Sequence, residues 1–322
     1  MSTRFEPAWW LNNPHAQTMW GTLTRPQVNI NLIRERIDTP DHDFLDLMWD
    51  ASNKDDESRP IALILHGLAG CIRSPYAKGL MQAISAAGWR PVFMHFRGSS
   101  GEPNRLARYY HSGDTNDLAF VVSYLHMKYA GVPIAAIGIS LGGNVILKWL
   151  GESANDNLLI GAVAVSVPFE LHHAASYMDK GFSKVYQWKI LRQLCADLFV
   201  KFQKLPCPFD LAKLKRVKNF WDFDNLVTAP LHNFANANEY YELSSCRQYL
   251  PNITKTTLII HAEDDPFMPT HVIPTTNEIS STTTLELLKN GGHVGFVTGT
   301  VPGKAEYWLE KRIPEFLNSL IK

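Results

Sequence analysis

The sequence predicts an α/β fold in which a mostly parallel central sheet is covered by helices on both faces. Three observations support this prediction: short apolar runs alternate with helix-like stretches, the alternation resumes after one interruption, and a Gly-x-Ser-x-Gly turn joins one run to a helix. Parallel strands need long connections, which helices provide. The 322 residues, 45% of them apolar, can bury one full core, so we expect a single domain over residues 1–322.

The predicted elements begin after a Trp-rich start. Two strands at residues 28–37 and 44–49 are joined by a turn rich in Asp, Pro and His. The alternation then follows, with strands at 60–65, 91–94, 132–137 and 160–165 and helices at 76–87, 117–129 and 144–150. Asp114 and Asp117 lie at the start of the helix predicted at 117–129. Their position favours capping of its N-terminus.

The alternation stops in residues 168–252, which are rich in aromatic and basic side chains such as Trp188, Phe199 and Lys201. We interpret this segment as a helical cap inserted into the domain. Strands at 257–260 and 284–288 and a closing helix at about 303–320 follow it. In such sheets, ligands bind at the carboxyl ends of the strands, and an aromatic cap favours an apolar ligand.

Composition narrows the function classes. Basic and acidic residues are equal at 31 each, which argues against nucleic acid as a partner. The four cysteines lie far apart, without metal-ligand or disulfide spacing, as in proteins with reduced thiols: Cys71, Cys195, Cys207 and Cys246. Residues 1–26 lack a signal-peptide core, and no window is apolar enough to span a membrane. We therefore expect a cytoplasmic protein, and any membrane contact would be peripheral.

The turn Gly138-Ile139-Ser140-Leu141-Gly142 is the most informative motif of the chain. It follows an apolar strand and precedes a helix, which is the setting of a nucleophilic serine. The positions two before and two after the serine must lack side chains that collide across the sharp turn. The helix then directs its free N–H groups towards the serine oxygen. Ser140 is therefore the predicted nucleophile.

A serine nucleophile needs a base and a group that orients the base. The strand predicted at 257–260 leads into Asp264 and Asp265, and the next strand leads into His293. Serine, acid and histidine follow each other in the chain order of α/β hydrolases, which predicts the α/β-hydrolase fold. In that superfamily the acid commonly lies three residues beyond a small residue at the strand end. This spacing, counted from Ala262, favours Asp265, with Asp264 as the open alternative.

The oxyanion of an acyl-transfer intermediate needs two backbone N–H donors. The residue after the serine, Leu141, is one predicted donor, and Leu68 in the loop after the first core strand is the other. Gly67 allows that loop to turn. His66 and the pair His172-His173 lack partners at metal-ligand spacing. The sequence therefore predicts neither a metal site nor a cofactor.

Eight sequence blocks carry a family resemblance: HAQT at 15–18, HGLAGCIRSPYAKGL at 66–80, HFRGSSGEPN at 95–104, YYHSGDTNDL at 109–118, GISLGGN at 138–144, FDNLVTAP at 223–230, EYYELSS at 239–245 and AEDDPFMP at 262–269. In these blocks the chain resembles the YheT-like branch of serine α/β hydrolases, which includes ABHD-type acylglycerol lipases and fungal medium-chain ethyl-ester synthase/esterases. The resemblance implies a catalytic triad of Ser140, Asp265 and His293. It gives no role for the HSGDT block. Cys71 and Ile72 depart from the small polar residues that relatives often carry there.

The expected function is hydrolysis of carboxylic esters, either short- to medium-chain acyl esters or monoacylglycerol-like lipids, through an acyl-enzyme on Ser140. The expected partner is thus a small apolar ester. Two alternatives remain open at this stage. The same intermediate could transfer its acyl group to an alcohol, or the chain could be a catalytically silent member that only binds a ligand. The acyl chain length, the leaving group and the oligomeric state do not follow from the sequence.

Overall fold

One central sheet organises the protein, whose computed structural model describes residues 4–26, 28–53 and 56–321. The strands are β1 (Leu32–Asp38), β2 (Phe44–Asp50), β3 (Ile61–Leu65), β4 (Arg90–His95), β5 (Ile134–Ile139), β6 (Gly161–Val165), β7 (Thr256–Ala262) and β8 (Thr283–Leu288). Within the described residues they form one sheet in the order β1-β2-β4-β3-β5-β6-β7-β8. β2 is antiparallel to β1 and β4, and all other neighbours are parallel. The predicted α/β fold is confirmed.

Ten helices accompany the sheet in the described part of the chain. They are α1 (Pro14–Thr24), α2 (Ala77–Ala86), α3 (Asn116–Lys128), α4 (Leu141–Ser153), α5 (Leu171–Met178), α6 (Ser183–Phe202), α7 (Phe220–Phe223), α8 (Ala229–His232), α9 (Ala237–Ser244) and α10 (Leu309–Ser319). A π-helical turn, Asp224–Thr228, separates α7 from α8. Two short strands, β9 (Val297–Thr298) and β10 (Glu306–Tyr307), pair with each other near the C-terminal end.

The two faces of the sheet carry separate cores. In β3, Leu63 and Leu65 pack into a cluster with side chains of α3 and α4, whereas Ile64 packs into a second cluster with side chains of α2 and α10. This alternation follows from the two-residue period of a strand. Because both faces are covered, the central strands consist almost entirely of apolar residues.

The helices between β6 and β7 form a layer beside the carboxyl ends of the strands. α5 packs against α6 and against α9, and all three contact the short helices between them. Their apolar side chains, among them Leu191, Leu194 and Tyr241, belong to the core cluster that also contains α4. The segment between β6 and β7 therefore shares a core with the helix that follows Ser140.

The N-terminal segment contains a helix that the sequence analysis did not predict. The Asn13 side chain accepts hydrogen bonds from the amides of His15 and Ala16, and Pro14 occupies the first turn of α1. These are ordinary helix-start signals. Gln17 is the one fully buried residue of α1. The sequence of α1 therefore lacks the regular spacing of apolar residues from which an amphipathic helix is predicted.

Two further predictions were wrong in detail. The closing helix begins at Leu309 instead of about 303, because Gly303 turns the chain with φ of 80° and β10 then pairs with β9. Asp114 and Asp117 do not cap α3, which begins without a side-chain cap. Asp114 instead accepts a hydrogen bond from Arg108 (2.6 Å), and Asp117 pairs with the buried Arg97 (2.7 Å). Leaving the buried guanidinium of Arg97 unpaired would cost more free energy than a helix cap contributes.

No helix in the described residues is long and apolar enough to cross a lipid bilayer. The four cysteines are unpaired thiols, and burial raises the pKa of Cys195 to about 11. Such a thiol is protonated at neutral pH and therefore weakly reactive.

Candidate active site

Ser140 lies at the sharp turn between β5 and α4, with backbone angles φ 54° and ψ −115°. A positive φ is costly for a residue other than glycine and is typical of residues under functional constraint. The turn is closely packed. A Cβ atom added at Gly138 would lie 2.4 Å from the Gly142 oxygen, and one added at Gly142 would lie 2.6 Å from the Leu65 oxygen. The two glycines are thus required by the space around the turn.

The three predicted side chains meet at this turn. His293 Nε2 lies 3.0 Å from Ser140 Oγ, and His293 Nδ1 lies 2.8 Å from Asp265 Oδ2. Both distances are those of hydrogen bonds. Asp265 and His293 are buried, with exposed fractions of 3% and 8%. The structure therefore joins Ser140, His293 and Asp265 into one hydrogen-bonded series, although the serine and the histidine are 153 positions apart in the chain.

The two adjacent acids have different environments. Asp265 bonds to the His293 ring, and its other oxygen accepts a hydrogen bond from the Phe267 amide (2.8 Å). Asp264 accepts hydrogen bonds from the Gly292 amide (2.9 Å) and from Asn290 (3.4 Å). Burial raises the pKa of Asp264. Asp265 thus contacts the histidine ring, and Asp264 holds the loop that carries it.

Phe267 is a site residue that the sequence analysis did not single out. Its ring stacks on the His293 imidazole with centroids 3.8 Å apart and planes 7° apart. This contact covers one face of the imidazole and limits its rotation. The sequence signal was the position of Phe267 two residues after Asp265, in the AEDDPFMP block.

Helix α1 holds the histidine loop from the other side. Thr18 Oγ1 accepts a hydrogen bond from the His293 amide (2.9 Å). Gln17 Oε1 accepts one from the Val297 amide (2.7 Å), and its Nε2 donates to the Val297 oxygen (3.1 Å). A Cβ added at Gly292 would lie 2.6 Å from Thr18 Oγ1. The HAQT block therefore gives the helix that positions the His293 backbone.

This contact predicts a positioning role for the Thr18 hydroxyl. Replacing Thr18 with valine keeps the shape but leaves the buried His293 amide without an acceptor, which typically costs 1–3 kcal/mol. We expect ester turnover to fall by about tenfold, because the imidazole moves relative to Ser140. Thr18→Ser should retain nearly full turnover.

A matched control for this variant lies in the same helix. Thr24 Oγ1 donates to the Trp20 oxygen (2.8 Å) as Thr18 Oγ1 donates to the Pro14 oxygen (2.7 Å), but Thr24 does not contact the histidine loop. Thr24→Val should therefore leave turnover unchanged. Equal effects of the two valine variants, measured with a chromogenic ester, would assign the loss to helix stability alone.

Both predicted oxyanion donors lie near Ser140: Leu141 follows it in the chain, and the loop of Leu68 approaches it. A Cβ added at Gly67 would lie 3.2 Å from Ser140 Cβ, so the loop that carries Leu68 approaches the serine closely. Leu68 and Leu141 line the same cavity as Ser140 and His293. Among the described residues, neither amide donates a hydrogen bond to a protein acceptor. Tyr110 fixes the loop by accepting a hydrogen bond from the Ala69 amide (2.8 Å).

His66, at the start of that loop, is a packed residue. Its Nδ1 lies 2.7 Å from the Gly67 oxygen, and its Nε2 accepts a hydrogen bond from the Phe96 amide (3.1 Å). Burial lowers its pKa to about 3, so the ring is neutral near pH 7. Within the described residues, no group of three or more His, Cys, Asp or Glu side chains could hold a metal ion.

A cavity of about 530 Å³ opens beside the Ser140 hydroxyl. The wall is largely apolar, with Leu171, Met178 and Phe220 from the segment between β6 and β7. Polar groups also line it, among them Asp224, which accepts hydrogen bonds from Thr228 Oγ1 and Tyr241 OH, both at 2.5 Å. The space suits an apolar ligand with its polar part near the serine.

The HSGDT block, which had no role in the sequence analysis, connects α4 to α9. Asn144 on α4 donates to the Ser112 oxygen (2.8 Å) and to the Ser244 oxygen (2.7 Å). The Ser112 amide donates to Tyr240 OH (3.0 Å). A Cβ added at Gly113 would lie 2.3 Å from Ser244 Oγ, so only glycine fits there. The block is therefore packed tightly between α4 and α9.

Comparisons with known proteins agree with this architecture. A family model described as alpha/beta hydrolase fold matches residues 60–300. "Putative esterase YheT" of Escherichia coli is 42% identical over 323 residues, which cover 100% of this chain and 95% of YheT. The mouse protein named phospholipase ABHD3 is 25% identical, covering 99% of this chain and 79% of its own length.

Solved structures give the same fold. The Pyrococcus furiosus esterase Pf2001 superposes with a TM-score of 0.57 at 18% identity, over 99% of each chain. At 18% identity, this structural similarity shows a shared fold and nothing more. Membership of the family is shown by the family model and by the full-length similarity to YheT. The chain therefore belongs to the α/β-hydrolase family and, within it, to the YheT-like branch of esterase- and lipase-type enzymes.

Proposed function

We propose that this protein hydrolyses carboxylic esters through an acyl-enzyme on Ser140. The observation that carries the proposal is the hydrogen-bonded series from Ser140 Oγ to His293 Nε2 (3.0 Å) and from His293 Nδ1 to Asp265 Oδ2 (2.8 Å). A serine hydroxyl becomes a nucleophile when a base within hydrogen-bond distance removes its proton. The free amides of Leu68 and Leu141 beside Ser140 support the same reaction.

In the first half-reaction, Ser140 Oγ attacks the ester carbonyl carbon while His293 Nε2 takes the hydroxyl proton. The amides of Leu68 and Leu141 stabilise the oxyanion, and each such donor is typically worth about 3 kcal/mol in the transition state. The carbon–oxygen bond to the alcohol then breaks, and His293 returns its proton to the leaving oxygen. Asp265 keeps the imidazole in the required tautomer and stabilises its charged form.

In the second half-reaction, His293 takes a proton from a water molecule that attacks the acyl carbonyl. The tetrahedral intermediate collapses, Ser140 Oγ recovers the proton from His293, and the carboxylic acid leaves. The cycle consumes one ester and one water and produces one alcohol and one acid. It needs no cofactor.

The cavity supports an apolar acyl group as the substrate. Its wall beside Ser140 consists mainly of aliphatic and aromatic side chains, and residues 168–252 form the proposed cap over it within a single domain. We propose short- to medium-chain acyl esters or monoacylglycerol-like lipids as the substrate class. The mouse relative's name, a phospholipase, also indicates an ester with apolar chains.

Covalent labelling with a fluorophosphonate tests the nucleophile directly. We expect one label per chain, located on the peptide with Ser140, and loss of ester hydrolysis in proportion to labelling. Ser166 provides an internal control, because it is buried near the same loop and its Oγ accepts a hydrogen bond from the Val294 amide (3.0 Å). A Ser140→Ala variant should remain unlabelled. Full hydrolysis by a protein labelled on Ser140, or label on Ser166 instead, would contradict the proposal.

Acyl transfer to an alcohol would use the same acyl-enzyme. Product analysis with added ethanol or glycerol separates the two reactions, because transfer gives a new ester whereas hydrolysis gives only the acid. In the silent-member alternative, Ser140 would remain unlabelled in the folded protein.

A further inference from the structure

The outer face of α6 is unusually apolar for a helix at the surface. Val185, Trp188, Phe199 and Val200 are exposed by 48%, 59%, 43% and 50%. They are spaced so that they lie on one side of the helix. Scattered exposed apolar residues are ordinary, but four of them on one side of a single helix indicate a binding surface. We call these four residues, together with Arg192 between them, the α6 stripe.

Basic residues predominate on this face, although one of them, Lys184, forms an ion pair with Asp179 (3.6 Å). Lys184, Lys189 and Arg192 are exposed, and the Arg192 guanidinium lies 5.4 Å from the centre of the Trp188 ring. Neither Lys189 nor Arg192 has a carboxylate within ion-pair distance among the described residues. The one acidic residue of α6, Asp197, is half-buried and accepts a hydrogen bond from Gln193 (2.8 Å). The stripe thus combines apolar and cationic groups.

The stripe is continuous with the mouth of the cavity. Val185 and Lys189 line the cavity on the α6 side, and Leu23 of α1, which is 70% exposed, lines it on another side. Exposed apolar residues therefore lie at two sides of this largely apolar cavity. A partner surface bound to the stripe would therefore place its apolar groups next to the cavity entrance.

Charge complementarity identifies the partner. A second copy of this chain, docked by two-fold symmetry, would place Arg192 and its neighbouring lysines against the same cations of the other copy. An anionic lipid surface attracts those cations and accepts the Trp, Phe and Val side chains between its acyl chains. The chain has no net charge, so this attraction would come from the local stripe and not from the whole protein.

We propose that the α6 stripe docks the protein on anionic lipid bilayers as a peripheral protein. Docking would bring the cavity mouth to the membrane, so that an apolar ester could enter from the lipid phase. That last step rests on the proposed ester hydrolysis. Membrane docking itself does not, and it is measured without substrate.

Vesicle flotation tests the docking. The probe is phosphatidylcholine vesicles with about 30% phosphatidylglycerol, compared with pure phosphatidylcholine vesicles, in about 0.05 and 0.5 M NaCl. We expect binding to the anionic vesicles at low salt and weaker binding at high salt. Trp188→Ser and Arg192→Glu should each weaken vesicle affinity by about tenfold.

Matched controls lie outside the stripe. Met127 is an exposed apolar residue of α3, and Lys289 is an exposed cation after β8. Met127→Ser and Lys289→Glu should retain wild-type vesicle binding. All four variants should hydrolyse a soluble p-nitrophenyl ester at the wild-type rate, because none of the four residues lines the cavity. If the wild-type protein bound the vesicles but did not hydrolyse the soluble ester, the result would oppose the proposed function and support the docking.

Three results would overturn the docking proposal. The wild-type protein could fail to bind anionic vesicles, or the stripe variants could bind as tightly as the wild type. Sedimentation could instead show a dimer that Trp188→Ser dissociates, which would assign the stripe to contact between copies of the chain.

Discussion

Asp265→Asn is expected to reduce kcat/KM for a soluble ester by about 10⁴-fold. The Asn side chain can present its amide N–H to His293 Nδ1, which would place the imidazole proton on Nε2, the atom that must accept the Ser140 proton. The buried location of Asp265 strengthens this effect, since no solvent replaces the lost negative charge. Steady-state hydrolysis of p-nitrophenyl butyrate measures the loss.

Asp264 offers a matched control one position away. Asp264→Asn keeps an amide oxygen that can accept the hydrogen bond from the Gly292 amide, and it does not contact the imidazole. We expect a loss of less than about tenfold, the cost of one weakened hydrogen bond. A larger loss for Asp264→Asn than for Asp265→Asn would exchange the two assignments.

Acid is expected to destabilise the protein steeply between about pH 6.5 and pH 4.5. Six buried or half-buried histidines have a pKa below the ordinary value, in each case mainly because burial disfavours the charged ring: His66, His95, His111, His173, His232 and His261. These histidines take up protons on unfolding in this pH range. The folded state therefore loses stability as pH falls.

Buried carboxyl groups act in the opposite direction. Burial raises the pKa of Asp114 and of Asp224 to about 6, so each releases a proton when the chain unfolds below that pH. Burial also raises the pKa of Asp197 and of Asp264. The histidines outnumber these carboxyl groups, so the free energy of unfolding should fall between pH 6 and 4.5 by about 1.4 kcal/mol per pH unit for each proton of the net uptake. Urea denaturation followed by circular dichroism at several pH values measures this slope.

His261 allows this explanation to be tested at one residue. It is fully buried, and both of its ring nitrogens lack a hydrogen-bond partner among the described residues. His261→Leu removes the titration without breaking a hydrogen bond, so the slope should fall by about 1.4 kcal/mol per pH unit, the contribution of one proton. The control is His126→Gln on the exposed side of α3, which should leave the slope unchanged. A stability that does not vary from pH 6.5 to 4.5 would refute the buried-histidine explanation.

The strand ends explain why the triad geometry could be anticipated from the sequence. Ser140, Asp265 and His293 each follow an apolar run, and β5, β7 and β8 are parallel members of the same sheet. Residues after parallel strands meet at one edge whatever their distance in the chain. The glycines around Ser140 were equally informative, because the space at the turn excludes any side chain.

The contacts that hold His293 in place could not be predicted from the sequence in the same way. Thr18 and Phe267 contact His293 through tertiary packing, and neither residue type carries a spacing rule relative to a distant histidine. The capping interpretation of Asp114 was wrong because Arg108, not the nearby helix end, binds its carboxylate. Local patterns predicted elements and strand ends, whereas the partners of buried polar groups depended on the folded neighbourhood.

The hydrogen bond between Thr18 and the His293 amide joins positions 275 residues apart. A contact of such high sequence separation carries a large loop-closure entropy, so we expect it to form late during folding. The sheet and its helices can consolidate earlier from contacts between neighbouring elements. Recovery of turnover during refolding therefore reports the final closure of the chain upon itself, and spectroscopic measures of helix content report an earlier event.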